Sequence, residues 1–143
     1  MPNLTAITAT FSIVAADPDT GCCGVAVASK YPAVGNCVPF VRAGVGAFCT
    51  QAWCYSPFGK EALDRLEAGA LPEAVLAALL EGDELRDKRQ LALIDVRGRV
   101  ACRNPSGVET EASWWGGGQW AILFLPREHA RRPGGPRGHG PGV

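Results

Sequence analysis

Two short apolar segments separated by a five-residue turn constrain the fold of this chain more than any other feature. Residues 10–16 and 22–29 are rich in Val, Ile and Ala, and the turn between them contains Pro18 and Gly21. Because Pro and Gly favour a chain reversal, the two segments predict a β-hairpin. Neither segment alternates cleanly between apolar and polar residues, which indicates a sheet covered on both faces. The rest of the chain must therefore supply layers on either side of this sheet.

Two further pairs of strands are predicted downstream. Residues 37–43 and 45–53 form the second predicted hairpin, and residues 90–96 and 99–103 form the third. The short turns within each pair favour antiparallel pairing. The charged segment 83–89, which precedes the third hairpin, is expected to lie in solvent.

Two helices are predicted between the second and third hairpins. The first begins after Ser56, which we expect to be its N-cap, has Pro57 at its first position and ends at Gly69. The second starts at Leu71 and ends at Gly82. Strands followed by paired helices and further strands predict an α+β fold in which two antiparallel sheets stack and helices lie outside them.

Composition limits the partners that we expect. Fourteen basic residues balance fourteen acidic ones, so we expect no nucleic-acid partner and no membrane partner. No stretch of 18 apolar residues is present, and residues 1–9 lack the pattern of a signal peptide. These features predict a cytoplasmic protein.

Six cysteines raise the question of a metal site or a reactive thiol. None of them forms a C-x-x-C pair, and both histidines lie in the carboxyl-terminal tail, so we expect no metal and no cofactor. We expect the cysteines to be small, buried residues of the strands. Cys49 and Cys54 stay open as alternative nucleophiles, although no histidine lies nearby in the sequence to lower a thiol pKa.

Several motifs in the first 103 residues carry a family resemblance. They combine hydroxyl residues, glycines and small apolar residues around predicted strands, at residues 10–15 (TFSIVA), 24–30 (GVAVASK), 33–35 (AVG), 42–47 (RAGVGA), 50–52 (TQA) and 90–101. Together they resemble domain-of-unknown-function family 1028, which is placed among the N-terminal nucleophile hydrolases. The resemblance implies a four-layer αββα sandwich, incomplete here at its carboxyl terminus, and the hydrolysis of amide bonds.

The resemblance also implies a catalytic residue. Thr10 would attack a carbonyl carbon through its hydroxyl, while its own α-amine, with an ordinary pKa of about 7.7 to 8.0, accepts the proton. Polar groups at neighbouring strand ends would support Thr10 and stabilise the oxyanion. The residues that we expect in this supporting role are Ser29, Lys30, Thr50 and Gln51.

These patterns divide the chain into three segments. Residues 1–9 are an amino-terminal extension. The mechanism requires that it be cleaved off or that translation start later, because an amide at Thr10 is not a base. Residues 10–113 are the hydrolase-like domain. Residues 114–143 are rich in Gly, Pro and Arg and are expected to be disordered or out of frame.

The tail also predicts a frameshift. Residues 126–134 can be encoded by a nucleotide sequence that, when it is read one base later, encodes Gln-Gly-Asn-Met-Leu-Ala-Gly-Pro-Glu. The family that this chain resembles has such a stretch. Loss of the native carboxyl-terminal part would expose sheet edges and apolar faces. We therefore expect a homo-oligomer.

Three functions stay open at this point. The first is hydrolysis of small amide or peptide substrates by Thr10. The second is a non-catalytic binding or assembly role on the same fold, because some members of the resembling family carry a fimbrial-assembly label. The third is thiol chemistry at Cys49 or Cys54.

Overall fold

A computed structural model describes residues 10–106, and it contains the elements that the sequence predicts, in the same order. The strands and helices of this part are β1 (Phe11–Asp17), β2 (Cys22–Ala28), β3 (Pro39–Arg42), β4 (Gly46–Ala52), α1 (Pro57–Glu67), α2 (Pro72–Leu80), β5 (Arg89–Asp95) and β6 (Val100–Arg103). The predicted extension 1–9 and the predicted tail 114–143, with its frameshift, lie outside the described residues. The described chain is a mixed α+β protein.

The strands belong to two separate antiparallel sheets. β1 and β2 form a two-stranded sheet in which Phe11 lies opposite Ala28 and Asp17 lies opposite Cys22. The turn between them has Gly21 at a φ of 70°, the left-handed conformation that glycine adopts at low cost. The other strands form a four-stranded sheet in the order β3-β4-β5-β6.

The hairpin covers one face of the four-stranded sheet, and the helices cover the other. Between the sheets, Ala16 of β1 packs with Ala47 of β4 and Ile94 of β5 in a small buried cluster. On the helical side, Phe48 and Leu93 belong to a larger core. The helix residues in that core are Phe58, Ala62, Leu63, Leu66, Val75, Leu76 and Leu79. Residues 10–106 therefore form three layers.

The outer face of the hairpin is apolar and exposed. Phe11 and Ile13 alternate with the inward-facing residues of β1, and their exposed fractions are 68% and 61%. Within residues 10–106, no helix covers this face. The fourth layer that the resemblance implies would have to lie here.

Both helices begin at a proline, at Pro57 as predicted for α1 and at Pro72, one residue after the predicted start, for α2. The expected cap of α1 is wrong. Ser56 has helical backbone angles, with φ −57° and ψ −32°, and makes no capping hydrogen bond. An N-cap residue needs extended angles to aim its side chain at the first free N–H groups. The Ser56 hydroxyl instead donates to the carbonyl oxygen of Cys37 at 3.4 Å.

A buried ion pair fixes the end of the β4–β5 pair. The Arg89 guanidinium donates to both carboxylate oxygens of Asp83, at 2.8 and 3.0 Å, and to the carbonyl oxygen of Trp53. The sequence predicts a solvated segment over 83–89, and for these two charged residues the prediction is wrong. The two-pronged contact satisfies both charges, which allows them to be buried.

Gly59 provides a test of the packing between α1 and the sheet. A Cβ at this position would lie 2.2 Å from the ring of Phe40. We expect Gly59→Ala to lower the free energy of unfolding by about 1 to 2 kcal/mol, because overpacking outweighs the gain in helix propensity. Urea denaturation measures the change. Gly35→Ala is the control, since nothing lies within 4 Å of its Cβ position, and equal losses in both variants would contradict the packing.

The Asp83–Arg89 pair predicts a dependence of stability on pH. The hydrogen bonds from Arg89 lower the pKa of the Asp83 carboxyl. Because the unfolded value is about 3.9, the stabilisation is present above that pH and is lost as the pH falls through the folded pKa. We expect Asp83→Asn to lower the free energy of unfolding by about 3 kcal/mol at pH 7, since it leaves the buried Arg89 charge without its partner.

Urea denaturation between pH 7 and pH 2.5 checks this expectation. The difference between wild type and Asp83→Asn should shrink below about pH 4. Glu84→Gln, at an exposed neighbouring position, should change little at any pH. A constant difference across the whole range would show that the Asp83 charge is not what stabilises the fold.

Candidate functional site

A pair of hydroxyl groups lies at the open end of the hairpin. Thr10 Oγ1 and Ser29 Oγ are 2.7 Å apart, just beyond the last paired residues of β1 and β2. The backbone N–H of Tyr31 donates to Ser29 Oγ at 3.1 Å. Ser29 can then donate its hydroxyl proton to Thr10 Oγ1. The hydrogen bond that Ser29 Oγ accepts from Tyr31 strengthens the Ser29 hydroxyl as a donor. The pair thus places a hydrogen-bond donor against a candidate nucleophile.

A row of amide side chains crosses the four-stranded sheet. Gln51 Nε2 donates to Gln90 Oε1 at 2.5 Å, and Gln90 Nε2 donates to Asn104 Oδ1 at 3.0 Å. The register of the β4–β5 pair puts Gln51 directly opposite Gln90. We call these three residues the amide row. Gln51 is 7% exposed, and its Oε1 has no hydrogen-bond partner in the part of the chain that the structure describes.

The hydroxyl pair and the amide row lie at the same end of the space between the sheets. Ser12 Oγ is 3.2 Å from Cys49 Sγ, which shows that Cys49 is on the face of β4 that meets the hairpin. Side chains alternate along a strand, so Gln51 shares that face with Cys49, and Thr10 shares the inner face of the hairpin with Ser12. Thr10 is the next inward-facing residue beyond Ser12, and Gln51 is the next inward-facing residue beyond Cys49.

Two of the predicted site residues lie elsewhere. Thr50 is fully buried on the opposite face of β4, where its Oγ1 accepts the backbone N–H of Tyr55 at 3.3 Å. Lys30 is exposed, and its Nζ lies 5.5 Å from the centre of the Tyr31 ring. The structure therefore gathers Thr10, Ser29 and Gln51 at one end of the sheets and directs these two side chains away.

Gln90 and Asn104 are not among the site residues that the sequence predicts. Each lies at the edge of a predicted strand, and each faces the hairpin side of its strand. A polar residue at such an edge is a weak signal when taken alone. Only the register between β4 and β5 reveals that the three amides form one row.

The thiols are poorly suited to act as nucleophiles. Burial raises the pKa of the Cys49 thiol, and burial together with the neighbouring Cys37 raises that of Cys54. A raised pKa keeps each group as the weakly nucleophilic thiol near neutral pH. The prediction that the cysteines are buried is confirmed for Cys49, but Cys22 and Cys102 are exposed, and Cys23, Cys37 and Cys54 are half-buried. Both exposed residues lie on edge strands, Cys22 on β2 and Cys102 on β6.

Other features of residues 10–106 offer no competing centre. An open cleft of about 540 Å³ lies at the opposite end of the four-stranded sheet, between Leu66, Asp95 and Arg97, and no Ser, Thr or Cys lines it. In this range, no group of three or more His, Cys, Asp or Glu side chains is arranged to hold a metal. The helices of the same range are too short or too polar to cross a membrane.

The fold and this site define an α+β protein that holds a threonine–serine hydroxyl pair at one end of two stacked sheets. The chain belongs to the family of unknown function DUF1028, whose model matches residues 10–121. It is also similar to the crystal structure of protein SPO2555 from Silicibacter pomeroyi, which is assigned to the same family, with 35% sequence identity and a TM-score of 0.64.

The similarity to that structure covers 68% of this chain and 46% of the other. The matched region thus spans a little under half the length of the solved protein. A comparison with curated proteins gave no match. The family that the sequence motifs resemble is confirmed by these findings.

Alkylation of the cysteines tests the electrostatics of the site. We expect iodoacetamide at pH 7.5 to label the exposed Cys22 and Cys102 faster than Cys49, because burial raises the pKa of the Cys49 thiol and shields its sulfur from the reagent. Mass spectrometry of the labelled peptides gives the rates. All three should react alike in concentrated urea, and equal rates in the folded protein would contradict the burial of Cys49.

Proposed function

We propose that this protein is an amide-bond hydrolase of the N-terminal nucleophile type, which uses Thr10 once residues 1–9 have been removed. The observation that carries this proposal is the 2.7 Å contact between the Thr10 and Ser29 hydroxyls at the open end of the hairpin. The match to the family begins at Thr10 as well. The substrate class is a small amide or peptide.

The proposed reaction needs a free amine at Thr10. The α-amine, with an ordinary pKa of about 7.7 to 8.0, accepts the hydroxyl proton while Oγ1 attacks the carbonyl carbon. The amine fragment of the substrate then leaves with that proton, and an ester to Thr10 remains. Water, activated by the same α-amine, hydrolyses the ester and restores the threonine.

Ser29 has a defined part in this proposal. Its hydroxyl, which accepts the Tyr31 N–H, donates to Thr10 Oγ1 as that oxygen loses its proton. Gln51 has one N–H of its amide engaged with Gln90, and its Oε1 is an acceptor without a donor among the described residues at this end of the sheets. Thr50 stabilises the chain after β4 through Tyr55.

The complete architecture in this proposal is the four-layer αββα sandwich. The described residues supply the two stacked sheets and one helical layer. The exposed Phe11 and Ile13 mark the face that a second helical layer would cover. An uncovered apolar face of this kind is costly in water, so it favours either that layer or a partner.

The same face favours a second candidate function, a binding or assembly role without catalysis. In that case the chain keeps residues 1–9, Thr10 has no free amine, and the outer face of the hairpin associates with another copy to give a homo-oligomer. The specific observation behind this candidate is the exposure of Phe11 and Ile13 on an otherwise uncharged stretch of β1.

An experiment on the amino terminus separates the two candidates. The full chain and a chain that begins at Thr10 after removal of the initiator methionine are compared on a panel of small acyl and aminoacyl p-nitroanilides. We expect turnover only from the chain with Thr10 at its amino terminus. Thr10→Ala in that chain should lose at least about 1,000-fold in kcat, since it removes the nucleophilic hydroxyl and leaves only the α-amine.

Two further variants sharpen the test. Ser29→Ala should lower kcat about 10- to 100-fold with little change in KM, because its bond strengthens as Thr10 loses its proton. Thr20→Ala is the matched control, a threonine in the exposed turn between β1 and β2, and should keep full activity. Turnover by a full chain that mass spectrometry shows to start before Thr10 would refute the mechanism.

A further inference from the structure

The amide row has a direction, and it ends at an unused oxygen. Asn104 Oδ1 accepts from Gln90, and Gln90 Oε1 accepts from Gln51. In this arrangement each bond joins the amide nitrogen of one residue to the amide oxygen of the next. Gln51 Oε1 is therefore held at the end of the row, inside the protein, with no donor among the residues that the structure describes.

A buried acceptor without a donor indicates a place for a ligand. Native proteins leave few such groups, because each one loses its hydrogen bonds to water without replacing them. Gln51 is more than nine-tenths buried, and it lies on the face of β4 that meets the hairpin, not on the face that packs against the helices. The end of the sheets where it lies also holds Thr10 and Ser29.

The surroundings of Gln51 favour a neutral ligand group as the hydrogen-bond donor to Gln51 Oε1. An ammonium group would need a carboxylate beside it, since an unpaired charge is costly to bury. At this end of the β4–β5 pair, the carboxylate that contacts the strand residue Arg89 is Asp83, and Arg89 occupies both of its oxygens. A neutral N–H avoids that cost. Amide N–H groups are the neutral donors that an amide oxygen commonly accepts.

We propose that Gln51 Oε1 accepts a hydrogen bond from the N–H of a neutral carboxamide group on the substrate. The rest of the amide row holds this oxygen in place, as Gln90 and Asn104 fix its orientation. This inference rests on the proposed function for the identity of the ligand as a substrate. It narrows the substrates to molecules that present a carboxamide, and it excludes simple amines at this position.

The test measures binding to the full chain and requires no turnover. Propionamide is titrated against the ¹⁵N-labelled protein, and the side-chain NH₂ signals of Gln51, Gln90 and Asn104 are followed by NMR. We expect saturable shifts of these signals with propionamide, and no saturable shifts with propionate or protonated propylamine. Absence of saturable shifts with propionamide in the folded protein would overturn the proposal.

Two substitutions at Gln51 check the chemistry. Gln51→Met keeps the length of the side chain and removes the acceptor, so it should raise the dissociation constant of propionamide at least about fivefold. Gln51→Glu keeps an acceptor and adds a negative charge, so protonated propylamine should now bind more tightly than propionamide. Unchanged affinities in both variants would overturn the proposal.

Controls keep the outcome interpretable. Asn36→Leu, which removes an exposed amide, should leave propionamide binding unchanged. If thermal melting shows that Gln51→Met does not fold, Asn104→Leu, at the half-buried end of the amide row, replaces it. We expect this variant to bind propionamide about two- to threefold more weakly, roughly the effect of a weakened neutral hydrogen bond. An unchanged affinity would again overturn the proposal. Thr10→Ala should still bind propionamide, which separates this inference from the hydrolase proposal.

Discussion

Arg89 holds the end of the central strand pair by donating to Asp83 and to the carbonyl oxygen of Trp53 at the same time. These contacts fix the point where β4 leaves the sheet and the point where β5 enters it. The register of the two strands follows, and with it the position of Gln51 opposite Gln90. A shift of one residue would turn every side chain of β5 to the other face and separate the amides.

β4 is the strand on which both sides of the molecule depend. Phe48 and Thr50 face the helices, whereas Ala47, Cys49 and Gln51 face the hairpin. All but the last residue of this strand are buried, which explains why its sequence shows no alternation of apolar and polar residues. The candidate site therefore lies where a fully covered strand ends and polar groups can meet between the layers.

The sequence predicts the elements well because local signals determine most of them. Gly21 and the two helix-initial prolines mark their turns and helix starts without help from distant residues. The failures come from long-range contacts. Ser56 bonds to Cys37 instead of capping its helix, and Arg89 is buried by its pairing with Asp83.

The site was predictable to a smaller extent. Thr50 and Gln51 are neighbours on one strand, so alternation alone forbids both from facing Thr10, and this much the sequence contains. The pairing of Gln51 with Gln90 is different, because two helices and their connections separate the strands. Nothing local in the sequence determines that register, and the amide row cannot be recognised without it.

The two sheets are held together by side-chain packing, so the spacing between them depends on the side chains in that interface. No ladder of backbone hydrogen bonds joins the sheet of Thr10 to the sheet of Gln51 within residues 10–106. The small side chains of Ala16 and Ala47 pack with Ile94 in the buried cluster between the two sheets. A larger side chain at either position would change the spacing of the two sheets while Thr10, Ser29 and Gln51 keep their identity.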